Sequence, residues 1–374
     1  MPVIDADSHV LEPPDLWETR LPRHYRDRGV RIVDRGGIET LEIGGSVVMQ
    51  GTLAGLGGAE TVPRSKLFDG SMRYVDGCPP ASYDAGARLR LYDEWGVDAG
   101  LVFPTIGILP FLTDDLDLLS ALARAYNDWQ ADFAAGGRGR IIPVASLNLR
   151  DRDAAIAELD RCLARDFKAV FMPPEPIDGR LPGDPWFDPL WARCAEAGVP
   201  LCFHVVVRFS GGGRPFGDWL DAGAGMLFGF SLGATAQLIP TIAHLALSGV
   251  FDRHPALKVA AVEAGCGWAP YLMDRLDEKH HILGDLLPVT TRERPSDYLR
   301  RNVWFVAEPE ERTIGAVLDL VGEDRVLWGS DYPHIDSTTA APDQIRASVA
   351  ALSADRQRAV LGGNAAALFG LSLP

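Results

Sequence analysis

The chain has 374 residues, of which 47% are hydrophobic and 23% charged. That balance excludes a disordered or collagen-like polymer. Lys and Arg number 36 against 51 Asp and Glu, a formal charge of −15, so neither nucleic acid nor an anionic membrane is an expected partner. The five cysteines are odd in number and form no C-x-x-C pair. This argues against a disulfide framework and points to a reducing cytoplasm. The opening Met1-Pro2-Val3-Ile4-Asp5 lacks the basic and long apolar regions of a signal peptide. No uninterrupted apolar run reaches the ~18 residues expected of a spanning helix.

In chain order, short apolar runs alternate with helical patterns. Eight runs read as strands: Val3–Asp7, Ala99–Phe103, Ile141–Ser146, Ala169–Met172, Pro200–His204, Lys258–Glu263, Val303–Val306 and Arg325–Gly329. They lack polar alternation, as strands covered on both faces do. Helices are predicted over 84–95, 116–135, 151–165, 186–197, 234–251, 268–282, 311–321 and 355–369, with Asp151 at one start and Gly198 just past one end. Eight strand–helix repeats predict a single distorted (β/α)8 TIM barrel over 1–374. Residues 28–83, Gly-rich around Gly51–Gly58, interrupt the alternation after the first strand and are expected to form a cap or lid. Residues 207–230 are a second candidate lid element. Neither glycine cluster has the strand–loop–helix setting of a phosphate loop.

Active sites of such barrels sit at the C-terminal ends of the strands. Strand one ends in Asp7 and His9, with Glu12 beyond; strand five ends in His204, strand six in Glu263, and strand eight leads to Asp331 and His334. Asp7 and His9, two apart on an extended strand, point to the same side. With His204 and Asp331 they suit a divalent transition metal (zinc, iron or manganese) better than magnesium or calcium. Asp5 is expected to face the barrel wall and satisfy backbone groups. Arg64, Arg73 and Arg208 lie in loops near the predicted mouth, where an Arg could clamp a substrate carboxylate.

Several motifs carry a resemblance: Ile4-Asp5-Ala6-Asp7-Ser8-His9-Val10-Leu11-Glu12-Pro13, Pro200-Leu201-Cys202-Phe203-His204, Gly249 to Lys258, Glu263-Ala264-Gly265-Cys266-Gly267-Trp268, Leu327-Trp328-Gly329-Ser330-Asp331-Tyr332-Pro333-His334, and Gly363-Asn364-Ala365. Together they resemble the amidohydrolase superfamily, in its amidohydrolase-2 branch of metal-dependent hydrolases and aminocarboxymuconate-semialdehyde-decarboxylase-like proteins. The resemblance implies His9, His204 and Asp331 as metal ligands, joined here by Asp7 where the family often has His or Glu. Glu263 stands where the decarboxylases typically show His, which turns the reading toward hydrolysis and toward a possible second metal, giving one or two ions per chain. Glu12 is a further candidate metal contact.

The expected activity is therefore cleavage of a small-molecule amide, ester, thioester or lactone by metal-activated water, with Asp331 and Glu263 as catalytic groups and His334, Arg73 and Arg208 on the substrate side. The alternatives are non-oxidative decarboxylation of an aromatic or unsaturated acid, oxygen activation at a di-iron site, or a noncatalytic subunit of the same fold. A homo-oligomer is expected, as is common in the branch.

Overall fold

The computed structural model describes residues 2–58, 61–108, 113–206, 225–287 and 291–372. These contain eleven strands: β1 (Ile4–His9), β2 (Arg31–Asp34), β3 (Glu39–Ile43), β4 (Ser46–Gln50), β5 (Ala99–Phe103), β6 (Ile141–Ala145), β7 (Ala169–Met172), β8 (Leu201–His204), β9 (Val259–Val262), β10 (Val303–Ala307) and β11 (Val326–Trp328). Eight of them pair in parallel in the order β1-β5-β6-β7-β8-β9-β10-β11. The loop after β11 closes the ring onto β1: Ser8 bridges to Tyr332, and Ser330 N and Asp331 N donate to Asp7 O at 2.9 and 2.8 Å. All eight predicted strands are present, and the fold is the expected α/β TIM barrel. Every residue of β1 and of β5 to β9 is buried, which is why these runs lack polar alternation.

The helices follow local chemistry. Asp84, Asp115 and Asp151 each accept a first-turn N–H, from Ala87, Leu118 and Ala154, as N-caps do. Gly198 ends helix Asp188–Ala197 in the left-handed region at φ 68°. Two predicted helices are broken. The 234–251 pattern stops at Leu247 and resumes at Val250, because Gly249 turns the chain at φ 72°. The 355–369 pattern contains a π-turn, Ala359–Gly363, where a Cβ on Gly362 would stand 2.1 Å from Pro2 O. Helices Pro295–Asn302 and Ala341–Val349 are additional to the prediction. Both are short and have proline in the first turn, a placement helices tolerate. The run Gly229–Leu247 is long and apolar enough to cross a membrane by length and composition. Its Leu238, Ile242 and Leu245 are buried in the main core.

Residues 28–83 contain the antiparallel sheet β2-β3-β4 and several 3-10 turns. Leu41, Ile43, Leu53 and Tyr74 join the main core, and Tyr74 Oη donates to Glu12 O at 2.9 Å. A Cβ on Gly57 would meet Leu11 Cδ1 at 2.5 Å and Pro333 O at 3.4 Å, so this segment lies directly against the loops that follow β1 and β11.

The seam where β11 meets β1 has no spare room. A Cβ on Gly329 would lie 2.2 Å from Asp7 Cβ. Gly329→Ala is expected to lower stability by about 1–3 kcal/mol through overpacking, measured by urea denaturation. An unchanged midpoint would mean that the seam is looser than described.

Candidate metal centre and active site

The strand ends deliver the expected residues to one place. His9 ends β1 and His204 ends β8, Glu263 directly follows β9, and Asp331 lies in the loop after β11. Glu263 and Asp331 hold left-handed backbone conformations at φ 60° and 54°. Residues other than glycine seldom take these, and such strain collects at functional sites.

His9 Nε2 lies 2.9 Å from His204 Nε2, 3.5 Å from Asp7 Oδ1 and 3.4 Å from Asp331 Oδ1; His204 Nε2 lies 3.3 Å from Asp7 Oδ1. Both histidine tautomers are set from behind. His9 Nδ1 faces Pro104 O at 2.9 Å, while His204 Nδ1 faces Val205 O at 2.9 Å and Glu263 Oε2 at 3.3 Å. Oxygen acceptors there place the ring protons on Nδ1 and leave both Nε2 atoms as bare lone pairs. Two lone pairs at 2.9 Å repel unless a cation lies between them. Asp7 Oδ1 is buried with no hydrogen-bond partner, an expensive arrangement. Donor atoms about 2.0–2.2 Å from a shared ion stand about 2.8–3.6 Å apart, the spacing seen here. The donor set therefore fits a divalent cation. Among the described residues, the groups close enough to hold one are Asp7/His9/His204, His9/Asp331/His334 and Glu263/Asp331/Asp336.

Asp331 and His334 form a proton-holding pair. Thr105 Oγ1 donates to Val10 O at 2.7 Å, so it can only accept from His334 Nε2, at 2.9 Å. His334 Nδ1 then faces Asp331 Oδ1 at 2.8 Å, and a proton must lie between them. Burial, reinforced by Glu263, Asp336 and Asp7, pushes the Asp331 carboxyl well above its usual range. Burial, with His9 and His204 nearby, holds His334 well below its own. The proton thus sits on Asp331 when no ion is bound. Burial opposes ionisation of Asp7; His204 and His9 lower its carboxyl in spite of this, an attraction that requires positive charge at the two rings, as a proton or an ion would supply. Burial and the charge of Asp7 raise Glu263.

Asp5 faces the barrel wall, as expected. Its Oδ1 accepts from Asp7 N at 3.1 Å and Ser330 N at 3.0 Å, and Ser330 Oγ donates to its Oδ2 at 2.5 Å. It thereby ties together the two segments that carry Asp7 and Asp331. Glu12 is corrected from a candidate metal contact to a loop anchor. Its carboxylate accepts from Thr105 N, Ile106 N and Gly107 N at 2.8–3.0 Å, and among the described residues no metal-capable group contains it. Arg73 is exposed and pairs with Asp34 at 3.2 Å, and it lines neither cavity beside the centre. Arg208 lies outside the described residues; Arg64 is in a 3-10 turn, Arg64–Lys66.

Beside the centre, Met49, Leu56, Ile108, Val206, Phe230 and Ile335 give one cavity an apolar wall, with His204, Glu263, His334 and Asp336 among its polar lining. An adjoining cavity is lined by Glu263, Glu308, Glu311 and Asp336. Asp336, Glu308 and Thr105 were not foreseen. Asp336 had a usable signal, an acid in the same post-strand loop as Asp331 and His334. Thr105 had none, since its role depends on two distant partners.

The family profile described as "Amidohydrolase" matches residues 4–371. The chain belongs to the amidohydrolase family. It is 26% identical to 2-amino-3-carboxymuconate-6-semialdehyde decarboxylase of Dictyostelium discoideum over 77% of each chain. It is 28% identical to gamma-resorcylate decarboxylase of Rhizobium radiobacter over 72% of this chain and 82% of that one. Among solved structures, an amidohydrolase from Mycobacterium avium subsp. paratuberculosis superposes with TM-score 0.79 at 28% identity over 99% of both chains. A dihydroxybenzoic acid decarboxylase from Polaromonas, with bound manganese and 2-nitroresorcinol, shares the fold with TM-score 0.67 at 19% identity over 99% of this chain and 97% of that one. The two sequence relatives and the Polaromonas structure are decarboxylases, while the mycobacterial structure is described only as an amidohydrolase. The decarboxylases favour the second expectation over hydrolysis, and hydrolysis gains no support from them.

The acids make a pH prediction for the metal-free protein. Burial raises Asp5 from 3.8 to about 7, and Asp331 and Glu263 are raised too. His9 and His334, both lowered, pull the other way, but with Glu12, Glu308 and Asp336 also raised the acids outnumber them. Between pH 4 and pH 7 the folded state therefore binds more protons than the unfolded chain, and its stability falls as pH rises. Asp5 alone contributes on the order of 4 kcal/mol to this fall. Thermal melts in chelator should show Tm decreasing from pH 5 to pH 7, with a shallower slope in Asp5→Asn. A rising Tm over that range would contradict the assignment.

Proposed function

We propose that the protein is a divalent-metal-dependent, non-oxidative decarboxylase of a small aromatic or unsaturated carboxylic acid. The observation that carries the reading is the buried set Asp7, His9, His204 and Asp331, with two bare imidazole nitrogens 2.9 Å apart and an orphaned Asp7 oxygen, and with His334 Nδ1 2.8 Å from Asp331 Oδ1. The decarboxylase relatives, and manganese in one neighbour of the same fold, support it. These four residues would hold the ion, with manganese, zinc and iron all compatible with the donors. When bound, such an ion supplies a Lewis-acid grip on substrate oxygens.

The protein's own groups account for the remaining chemistry. The apolar wall of Met49, Leu56, Ile108, Phe230 and Ile335 seats the carbon framework and excludes water. The proton held between Asp331 and His334 is delivered through Asp331 to the carbon that bears the carboxylate. The bond from that carbon to the carboxylate breaks, its electron pair forms the new C–H bond, and carbon dioxide leaves. Each turnover consumes that proton, and His334, held by Thr105, relays a replacement from solvent to Asp331. Glu263 steadies His204 through Nδ1, as a carboxylate behind a ligand histidine does. Residues 28–83 serve as the cover, a reading supported by Met49, Gly55 and Leu56 on the cavity wall.

Hydrolysis is the second reading. It is favoured by one observation: Glu263, Asp331 and Asp336 form a separate group able to take a cation. A second ion there would suit water activation.

With manganese loaded, carbon dioxide release from a panel of hydroxybenzoic acids is expected, abolished in His204→Ala and lowered about 10²–10⁴-fold in Asp331→Asn. Turnover of esters or thioesters with no carbon dioxide from any acid would move the assignment to hydrolysis.

A further inference from the structure

Arg88, on helix Ala85–Trp95, is fully buried, and no carboxylate of the described residues is paired with it. An unsatisfied buried guanidinium would be costly. Three oxygens and two rings meet its charge instead. Nε donates to Ala81 O at 2.6 Å, Nη1 to Ser8 Oγ at 3.1 Å, and Nη2 to His9 O. The Ser8 hydroxyl gives its own proton to Leu101 O at 2.6 Å, so towards Arg88 it can only accept. The guanidinium carbon lies 5.8 Å from the Tyr92 ring centre and 5.3 Å from that of Tyr332, within cation–π range.

These contacts join three remote parts of the chain. Ala81 closes the 28–83 segment. Ser8 and His9 form the site-facing end of β1, and His9 contributes one bare nitrogen to the centre. Tyr332 directly follows Asp331, and its carbonyl accepts from His9 N at 2.6 Å. One planar side chain therefore touches the backbone or immediate neighbour of two candidate ligands that are more than three hundred residues apart in sequence.

We propose that Arg88 is a positioning residue for the cation site, fixing the His9 and Asp331 segments against each other from behind. The inference builds on the metal reading above. The sign of its charge separates this role from a purely electrostatic one. A fixed positive charge opposes a second cation nearby, so if charge alone mattered, its removal would tighten ion binding. If geometry matters, removal loosens it. Lys keeps the charge but cannot present the planar fork that reaches three separate acceptors.

The test is manganese affinity, measured by competition with a chelator. It is applied to the wild type, Arg88→Met, Arg88→Lys and Arg88→Ala, with the urea stability of each metal-free protein measured in parallel. Leu122→Ala, a buried core change that lines neither cavity at the centre, controls for lost stability. Arg88→Met is expected to bind manganese about 10–100-fold more weakly, in the range seen when outer partners of metal ligands are removed. Arg88→Lys should be weakened less but not restored, and methylguanidinium should recover part of the affinity of Arg88→Ala. Leu122→Ala should bind as the wild type does. Unchanged or tighter binding in Arg88→Met, or full restoration by Lys, would overturn the inference. If Arg88→Met does not fold, the Lys variant still decides. Failure of the wild type to take up manganese would instead overturn the metal reading, and this inference with it.

Discussion

The site depends on one electrostatic constraint: electron pairs are brought together in a buried place where only a positive charge could hold them. His9 and His204 present bare nitrogens to each other because carbonyl oxygens have claimed their ring protons. Asp7 adds a charged oxygen without a partner. Such an arrangement is unfavourable in isolation and becomes favourable around a cation. The surrounding acids follow from the same constraint. Asp331 and Glu263 resist ionisation while the centre lacks positive charge, and an ion would relieve both.

The barrel provides the precision. Each candidate ligand sits at a strand end or just past one, and the strands are fixed by parallel pairing around the ring. The critical seam lies between the first strand and the loop after the last, where the chain's beginning and end meet. Asp5 accepts N–H groups from both sides of it, and Gly329 allows the backbones to approach where any side chain would collide with Asp7. Loops alone would hold the same residues less accurately.

Much of this was legible in the sequence because it is periodic or local. The eight apolar runs mark strands buried on both faces, and the barrel then predicts which polar residues converge. Asp7, His9, His204, Glu263, Asp331 and His334 follow from position at strand ends. The illegible parts are those whose partners are distant. Glu12 resembled a ligand by proximity to His9, but three loop N–H groups claim it. Thr105 is an ordinary residue until its hydroxyl is seen between Val10 and His334. Glu308 required knowing that its post-strand loop shares a cavity with that of Asp336. The chemistry was the least legible of all, because hydrolysis and decarboxylation ask for the same ligands. The relatives, not the donor atoms, shift the balance.

The measurement that bears most directly on this account is anomalous diffraction at the manganese edge from crystals grown without chelator and soaked in manganese. The account predicts an anomalous peak bonded to Asp7, His9, His204 and Asp331. A fully soaked crystal with no peak among those four side chains, or with the two histidine nitrogens bridged only by a proton, would contradict it.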